Sequence, residues 1–294
     1  LYVGSDDGKI HVSKDGGASW QLISGNLPQN LWVSRVAAST HKKERVYTTL
    51  NGYRNDIFES YVYVSEDFGV TWTSISNGLT EAVNVIVEDS ANENILYVGT
   101  DNGLFISLDK GATWQDFSNG MPKVAVHDAV IQTKVKELIV GTHGRSLYKI
   151  DISRVQELTK EVLAKNLHLF KVNDRTKSDR WGTQNYAWGK PSEPSQTIWF
   201  YSNDDGMVNV SITNGAGMIV HAQKVEAKKG LNSFNFDYSM PKNVADNWNK
   251  KDKNIKLKAA ENQKIYLPVG KYKLTISQDK SSESKSFEIV NPKK

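Results

Sequence analysis

Three octapeptides of the form S-x-D-x-G-x-[ST]-W constrain this chain more than any other feature. They are Ser13-Lys14-Asp15-Gly16-Gly17-Ala18-Ser19-Trp20, Ser65-Glu66-Asp67-Phe68-Gly69-Val70-Thr71-Trp72 and Ser107-Leu108-Asp109-Lys110-Gly111-Ala112-Thr113-Trp114. Their tryptophans stand 52 and 42 residues apart, the spacing of a four-stranded propeller blade. Each octapeptide follows a strand-like segment such as Leu104-Phe105-Ile106 and leads into another such as Trp114-Gln115-Asp116-Phe117. The pattern has the logic of a hairpin turn. Asp15, Asp67 and Asp109 can accept backbone N–H bonds, Gly17, Gly69 and Gly111 tolerate a positive φ, and Trp20, Trp72 and Trp114 pack between neighbouring sheets.

A second repeated element precedes each turn: Leu1-Tyr2-Val3-Gly4-Ser5, Val46-Tyr47-Thr48-Thr49 and Leu96-Tyr97-Val98-Gly99-Thr100, with a fourth copy, Leu138-Ile139-Val140-Gly141-Thr142, that has no octapeptide after it. The longer first period is explained by residues 51–61, which swell one link. The octapeptides resemble the Asp-box, or bacterial neuraminidase repeat, of β-propellers. That resemblance places each box between the third and fourth strands of a blade, facing away from the usual active-site mouth.

The links from second to third strand and the starts of the inner strands then fall at the mouth, where loops carry function. The links are Asp6-Asp7-Gly8, residues 51–59, Asp101-Asn102-Gly103 and His143-Gly144-Arg145, and the inner strands begin near Ser34-Arg35, Asn84-Val85 and His127-Asp128. The binding candidates are therefore Arg35, Tyr53, Arg54, Asp56, Phe58, His127, Asp128, His143 and Arg145. Three boxed units and one boxless unit are too few to close a typical ring of four to eight blades. The expectation is a C-terminal part of a longer propeller, with its partner blades upstream of Leu1.

After residue 152 the pattern changes. Residues 153–163 read as a helix capped by Ser153, with Val155, Leu158 and Val162 at helical spacing. An aromatic stretch over 180–189 reads as packing between domains, with a carbohydrate-stacking platform as the alternative. From Gln196 onward, alternating strands with Gly, Asn and Asp turns have the cadence of an immunoglobulin-like sandwich, interrupted by a polar loop over 241–264. The fold class is all-β: a partial β-propeller (1–152), a helix and aromatic linker (153–195), and an immunoglobulin-like β-sandwich (196–294).

Composition narrows the function classes. The 294 residues are 38% hydrophobic and 24% charged, which describes a globular chain. The net charge of +4 is a mild excess where nucleic-acid binding would need charge concentrated on one face, and the only dense basic run, at Lys250, Lys251 and Lys253, is broken by Asp252, so nucleic acid is not expected as a partner. With no cysteine, disulfides, thiolate metal sites and cysteine nucleophiles are all excluded. No apolar stretch reaches the ~18 residues of a membrane span. No signal-peptide pattern opens the chain, which carries no weight if the N-terminus lies upstream.

The segments Asn51-Gly52-Tyr53-Arg54, Asn77-Gly78-Leu79, Glu88-Asp89, Val126-His127-Asp128, Gly141-Thr142-His143-Gly144-Arg145-Ser146 and Leu267-Pro268-Val269-Gly270-Lys271-Tyr272 together resemble the C-terminal end of bacterial sortilin-like repeat proteins, often labelled putative glycosyl hydrolases. The resemblance covers nearly the whole chain. It implies a large propeller with a C-terminal sandwich and a secreted, periplasmic or cell-surface location, and it implies architecture more than reaction.

Two functions are expected from different classes. The first is a binding or assembly module for a protein, peptide or glycan, for which Tyr53 and Phe58 beside Arg54 and Asp56 form an interaction patch. The alternative is a glycoside hydrolase using mouth carboxylates such as Asp56, Glu59, Asp101 or Asp128, mostly on blades upstream. The sialidase Phe-Arg-Ile-Pro type of motif is absent. Arg54–Asp56 and His127–Asp128 are expected as loop-ordering pairs. His11, His41, His127, His143, His168 and His221 lack metal-ligand spacing, so no metal is expected there, although His127 and His143 could converge across adjacent blades. No cofactor is expected otherwise; Ca²⁺ at acidic turns such as Asp6-Asp7 stays open without an EF-hand pattern.

Overall fold

Each of the three octapeptides closes the last hairpin of a small antiparallel sheet, and a fourth sheet without one follows them in the first half of the chain. The computed structural model describes every residue except Asn119, Asn185, Ala187, Lys293 and Lys294. It divides into two units, Leu1–Leu158 and Thr159–Lys294. The first sheet holds β1 (Tyr2–Gly4), β2 (Ile10–Val12) and β3 (Gln21–Leu22). The second holds β4 (Trp32–Ala38), β5 (Val46–Gly52), β6 (Ile57–Ser65) and β7 (Thr73–Ser74). β8 (Val83–Glu88), β9 (Leu96–Thr100), β10 (Gly103–Ser107) and β11 (Gln115–Asp116) make the third, and β12 (Val126–Gln132), β13 (Glu137–Thr142) and β14 (Leu147–Asp151) the fourth. Every strand pairs with its sequence neighbour, the meander of propeller blades.

Blade packing decides which strands are apolar throughout. β5 and β9 are buried along their whole length, because a neighbouring blade covers each face. Between the first and second sheets lie Ile10, Val12, Ile23, Val33 and Leu50, with Tyr61, Tyr63 and Trp72 against them. The equivalent cluster between the second and third sheets joins Tyr47, Val62, Ile75, Ile86 and Val98 to Phe105 and Trp114.

The octapeptide turns are built alike. In the second, Asp67 Oδ1 accepts from the Thr71 N–H at 2.8 Å and Oδ2 from the Thr71 hydroxyl at 2.6 Å, while Ser65 Oγ donates to Asp67 at 2.7 Å and accepts from the Gly69 N–H at 2.7 Å. Asp15 and Asp109 make the same set with Ser19 and Thr113. These donors, the Thr71 hydroxyl first, hold the Asp67 carboxyl down at about 2.

The turn also reaches the preceding blade. Trp72 Nε1 donates to the Ile23 carbonyl at 2.8 Å and Trp114 Nε1 to the Ile75 carbonyl at 2.7 Å. Gly69 and Gly111, at φ +88 and +87, sit directly over the Ile23 and Ile75 side chains.

A buried charge cluster ties the second and third sheets at the same end. Arg45, its side chain 2% exposed, donates from Nε to Glu66 at 2.6 Å and from Nη1 to Glu88 at 3.3 Å and Glu93 at 3.1 Å. Glu88 also accepts from Ser39, the Thr40 N–H and the Tyr47 hydroxyl. Burial opposes its ionised form, and these donors outweigh burial to hold it below the usual carboxylate range.

The second unit is an immunoglobulin-like sandwich. One sheet is ordered β15 (Leu167–Leu169), β17 (Gln196–Ser202), β20 (Gly230–Phe236); the other is ordered β16 (Arg175–Thr176), β24 (Ser281–Val290), β23 (Gly270–Gln278), β18 (Gly206–Asn214), β19 (Ile219–Ala227). A short ribbon, β21 (Ser239–Met240) with β22 (Ile265–Tyr266), adjoins them. Alternate residues Val208, Val210 and Ile212, with Leu274, Ile276 and Phe287 beside them on the same sheet and Phe200 from the other sheet, fill the core.

Several local expectations are corrected. The sandwich begins before 196, because Leu167–Leu169 and Arg175–Thr176 pair with β17 and β24. The expected helix over 153–163 is two short helices, α1 (Ser153–Gln156) and α2 (Lys160–Leu163), since Thr159 caps a new start by accepting from the Val162 N–H. Ser153 does not cap; its N–H donates to the Asp151 carboxylate at 2.8 Å.

The expected loop over 241–264 contains α3 (Lys242–Lys251), which buries Ala245 and Trp248. Lys250 and Lys251 fall in its last turn, where cations suit the helix dipole. Trp181 of the aromatic stretch is buried within the second unit against Tyr238 and Tyr266, while Tyr186 and Trp188 stack on each other in solvent. Asn185 and Ala187 of that stretch lie outside the described residues.

Two stability predictions follow from the box end of the blades. Gly69→Ala places a Cβ 2.3 Å from the Ile23 Cδ1 at a left-handed φ, so a loss of roughly 1–3 kcal/mol or more is expected in urea unfolding. An unchanged midpoint would contradict the close approach. Arg45→Ala is expected to cost about 3–5 kcal/mol, because Glu88 is left buried without its cation. The pH dependence has a definite sign. Glu88, held low when folded, supports stability above the unfolded carboxylate range near 4.3 and loses it as pH falls; Glu93, held at about 2 by Lys110 and then Arg45, extends that window downward. Glu88→Gln should therefore flatten the loss of stability measured as pH falls below about 4.3.

Candidate functional site

The end of the blades opposite the octapeptide turns is formed by residues 5–9, the 3₁₀ turn Tyr53–Asn55, and residues 101–102 and 143–146. The inner strands β4, β8 and β12 start at this same end, and each begins with a bulge. The register shifts between Val33 and Arg35, Val83 and Val85, and Val126 and Asp128, leaving Ser34, Asn84 and His127 as the extra residues. A bulge bends its strand and re-aims side chains. Three equivalent bulges thus furnish a row of polar groups where sheet alternation would otherwise set their direction.

Each bulged residue is put to different use. Ser34 Oγ donates to the Val83 carbonyl at 2.9 Å, bridging the second and third sheets. Asn84, 4% exposed, accepts from Asn51 Nδ2 and donates to Asp101 Oδ1, both at 2.8 Å. The His127 ring lies 5.3 Å from that of His143, tilted by 45°. The two imidazoles converge within one sheet, on β12 and just after β13, and not across adjacent blades.

The expected pairs Arg54–Asp56 and His127–Asp128 do not form among the described residues. Asp128 instead accepts from Arg35 Nη2 at 2.5 Å, linking the inner strands of the second and fourth sheets, and from the Ala129 N–H at 2.9 Å. Arg54 turns to aromatic faces, its guanidinium 5.4 Å from the Trp32 ring and 5.8 Å from Tyr53, with Nε donating to the Tyr53 hydroxyl at 3.4 Å. Trp32 and Tyr53 meet edge to face at 6.5 Å. Asp56 adopts φ 58 to end the 3₁₀ turn, its N–H donating to the Tyr53 carbonyl. Sequence reasoning missed Trp32, which opens β4 two residues before the bulged Ser34; its partnership with Arg54 is long-range, and no local motif marks it.

The mouth therefore presents two neighbourhoods. One is aromatic and cationic: Trp32, Tyr53 and Arg54, with Phe58 exposed nearby in sequence. The other is imidazole-rich: His127 and His143 with Arg145, all exposed. Two of its carboxylates are engaged, Asp101 by Asn84 and Asp128 by Arg35. The Asp6-Asp7 turn considered for Ca²⁺ is also occupied from within. Asp7 accepts from Lys9 and Ser5, which hold its carboxyl at about 2. Among the described residues no three His, Asp or Glu side chains converge on a common point.

A cavity of about 670 Å³ lies in the second unit, lined by Arg175, Lys177, Arg180 and Trp181 among others. Lys177 is occupied there, donating to the Leu267 carbonyl at 3.0 Å with its ammonium 4.3 Å from the Trp181 ring. Burial draws its amine down to about 8, while the ring face favours the charged form.

No family model matches the chain, and no curated protein aligns with it. Among solved structures it is similar to the GH74 xyloglucanase from Xanthomonas campestris, at 12% identity and TM-score 0.45 over 97% of this chain and 41% of that one. It is also similar to PorZ, a surface component of the type-IX secretion system of Porphyromonas gingivalis, at 15% identity and TM-score 0.36 over 98% and 42%. YCF48 bound to D1 peptide is similar at 10% identity and TM-score 0.37 over 76% and 64%. The chain spans less than two thirds of each of these proteins.

The Asn84 network gives a direct test of how the mouth is held. Asn84→Ala removes a partner from Asn51 and Asp101 together, so stability should fall by about 1–3 kcal/mol in chemical denaturation. A neutral result would mean that the bulge is held by its backbone alone.

Proposed function

We propose that this protein is a binding or assembly module whose propeller mouth takes a protein, peptide or glycan partner. The observation that carries this reading is the cluster in which exposed Arg54 lies over half-buried Trp32 and exposed Tyr53. Aromatic and arginine side chains held in a fixed arrangement supply contact area at low entropic cost and are the residues that dominate interface energies. Phe58, His127, His143, Arg145 and the Arg35–Asp128 pair would form the rest of the contact surface. Of the mouth carboxylates, Asp128 is tied up in an ion pair with Arg35, and Asp101 accepts from Asn84.

The chain is further proposed to be the end of a longer Asp-box propeller of the sortilin-like kind, acting outside the cytoplasm. Trp20 supports the longer ring. It is 44% exposed and its indole has no hydrogen-bond partner among the described residues, whereas Trp72 and Trp114 each bond a preceding blade. An additional blade on the face that carries Trp20, Val3 and Leu22 would complete the same contact.

The test is a binding screen of the full chain against peptide and glycan panels. Arg54→Ala should weaken the captured ligand by roughly tenfold or more without altering the melting curve. Release of sugar from any glycan, abolished by Asp128→Ala or Asp56→Ala, would overturn the reading in favour of a glycoside hydrolase.

A further inference from the structure

His127 and His143 are exposed, and among the described residues neither ring makes a hydrogen bond. The pair thus presents two imidazoles side by side to solvent, with no protein group among the described residues taking up their nitrogens. Their positions are nonetheless well fixed. The bulge between Val126 and Asp128 places His127, and the His143 N–H donates to the Ala125 carbonyl at 2.9 Å, pinning the two backbones side by side.

The spacing of the rings has a chemical meaning. With metal–nitrogen bonds of about 2.0–2.1 Å and a ring centre about 1.1 Å beyond the nitrogen, two imidazoles on one tetrahedral ion have centroids about 5 Å apart. The observed separation is 5.3 Å. We propose that His127 and His143 bind one divalent transition-metal ion at the propeller mouth, each through one imidazole nitrogen. Imidazole suits Zn²⁺, Ni²⁺ and Cu²⁺, with Cu²⁺ the tightest of the series.

The surrounding charges are compatible with a cation. Arg35, which reaches across the inner strands to the residue beside His127, is already neutralised by Asp128. Arg145, two residues beyond His143, is exposed, where solvent and salt screen its repulsion. With two protein ligands, the remaining coordination positions are open to water or to donor atoms of a bound molecule. The site thus offers an anchor for carboxylate or hydroxyl groups beside the aromatic cluster. It stands apart from the partner-binding reading, because the ion is measured alone.

The experiment is titration of the metal-free full chain with Zn²⁺ and, separately, Cu²⁺ by calorimetry, with electron paramagnetic resonance of the Cu²⁺ form. One ion per chain is expected, with nitrogen couplings from two imidazoles. His127→Ala and His143→Ala should each lower affinity by roughly tenfold or more, since loss of a direct ligand exceeds the loss of a supporting one. His41→Ala should leave it unchanged. His143→Gln, which keeps the side chain's bulk, should lose affinity as His143→Ala does, so a folding defect in the alanine variant would not be mistaken for a lost ligand. Equal affinity and equal copper spectra in the wild type and the His127→Ala/His143→Ala double variant would overturn the proposal.

Discussion

The structure of the first unit depends on one repeated contact between blades. The indole of Trp72 bonds the Ile23 carbonyl, and the indole of Trp114 bonds the Ile75 carbonyl. In the same two turns Gly69 and Gly111 admit those isoleucine side chains to a distance that no Cβ would allow. A single hydrogen bond of this kind is worth only about 0.5–1.5 kcal/mol net. Its importance is geometric, because it sets the register of each blade on the one before. The carboxylate of the turn, satisfied by the Ser and Thr hydroxyls and a backbone N–H, keeps that geometry from relaxing.

Fixing one end of the blades leaves the other free to vary. At the box end charged groups are consumed internally: Arg45 serves three glutamates, and Glu93 is shared with Lys110. Desolvating such a cluster is costly, and it pays only where every member is satisfied. At the mouth the same residue types face solvent. Arg54 rests on aromatic faces, Arg145 extends from a short loop, and His127 and His143 meet without hydrogen-bond partners among the described residues. Three bulges at equivalent places convert regular strand ends into a platform for these groups.

The sequence made the blades legible because the octapeptide is a local code. Ser, Asp, Gly and Trp at fixed offsets act within a single turn, so spacing reveals the turn, and the resemblance to the Asp-box implies its place between the third and fourth strands. Pairings between distant residues were not readable in this way. Arg54 and Asp56 are close in sequence and of opposite charge, yet Arg54 gains more from the Trp32 and Tyr53 faces. Asp128 finds Arg35 across the inner strands and not its neighbour His127. α3 was hidden for a different reason: its apolar positions are few, and Ala245 and Trp248 gain their weight from the sandwich core they enter. The candidate mouth was thus legible as a set of loops, while its internal partnerships required the fold.

The central claim is that contact with a partner falls at the mouth, and that the box end is scaffold. Hydrogen exchange of the full chain with and without a captured ligand tests it most directly. Protection confined to residues 51–59, 127–128 and 143–145 is the predicted result. Protection centred on the octapeptide turns at 13–20, 65–72 and 107–114, with the mouth unchanged, would contradict it.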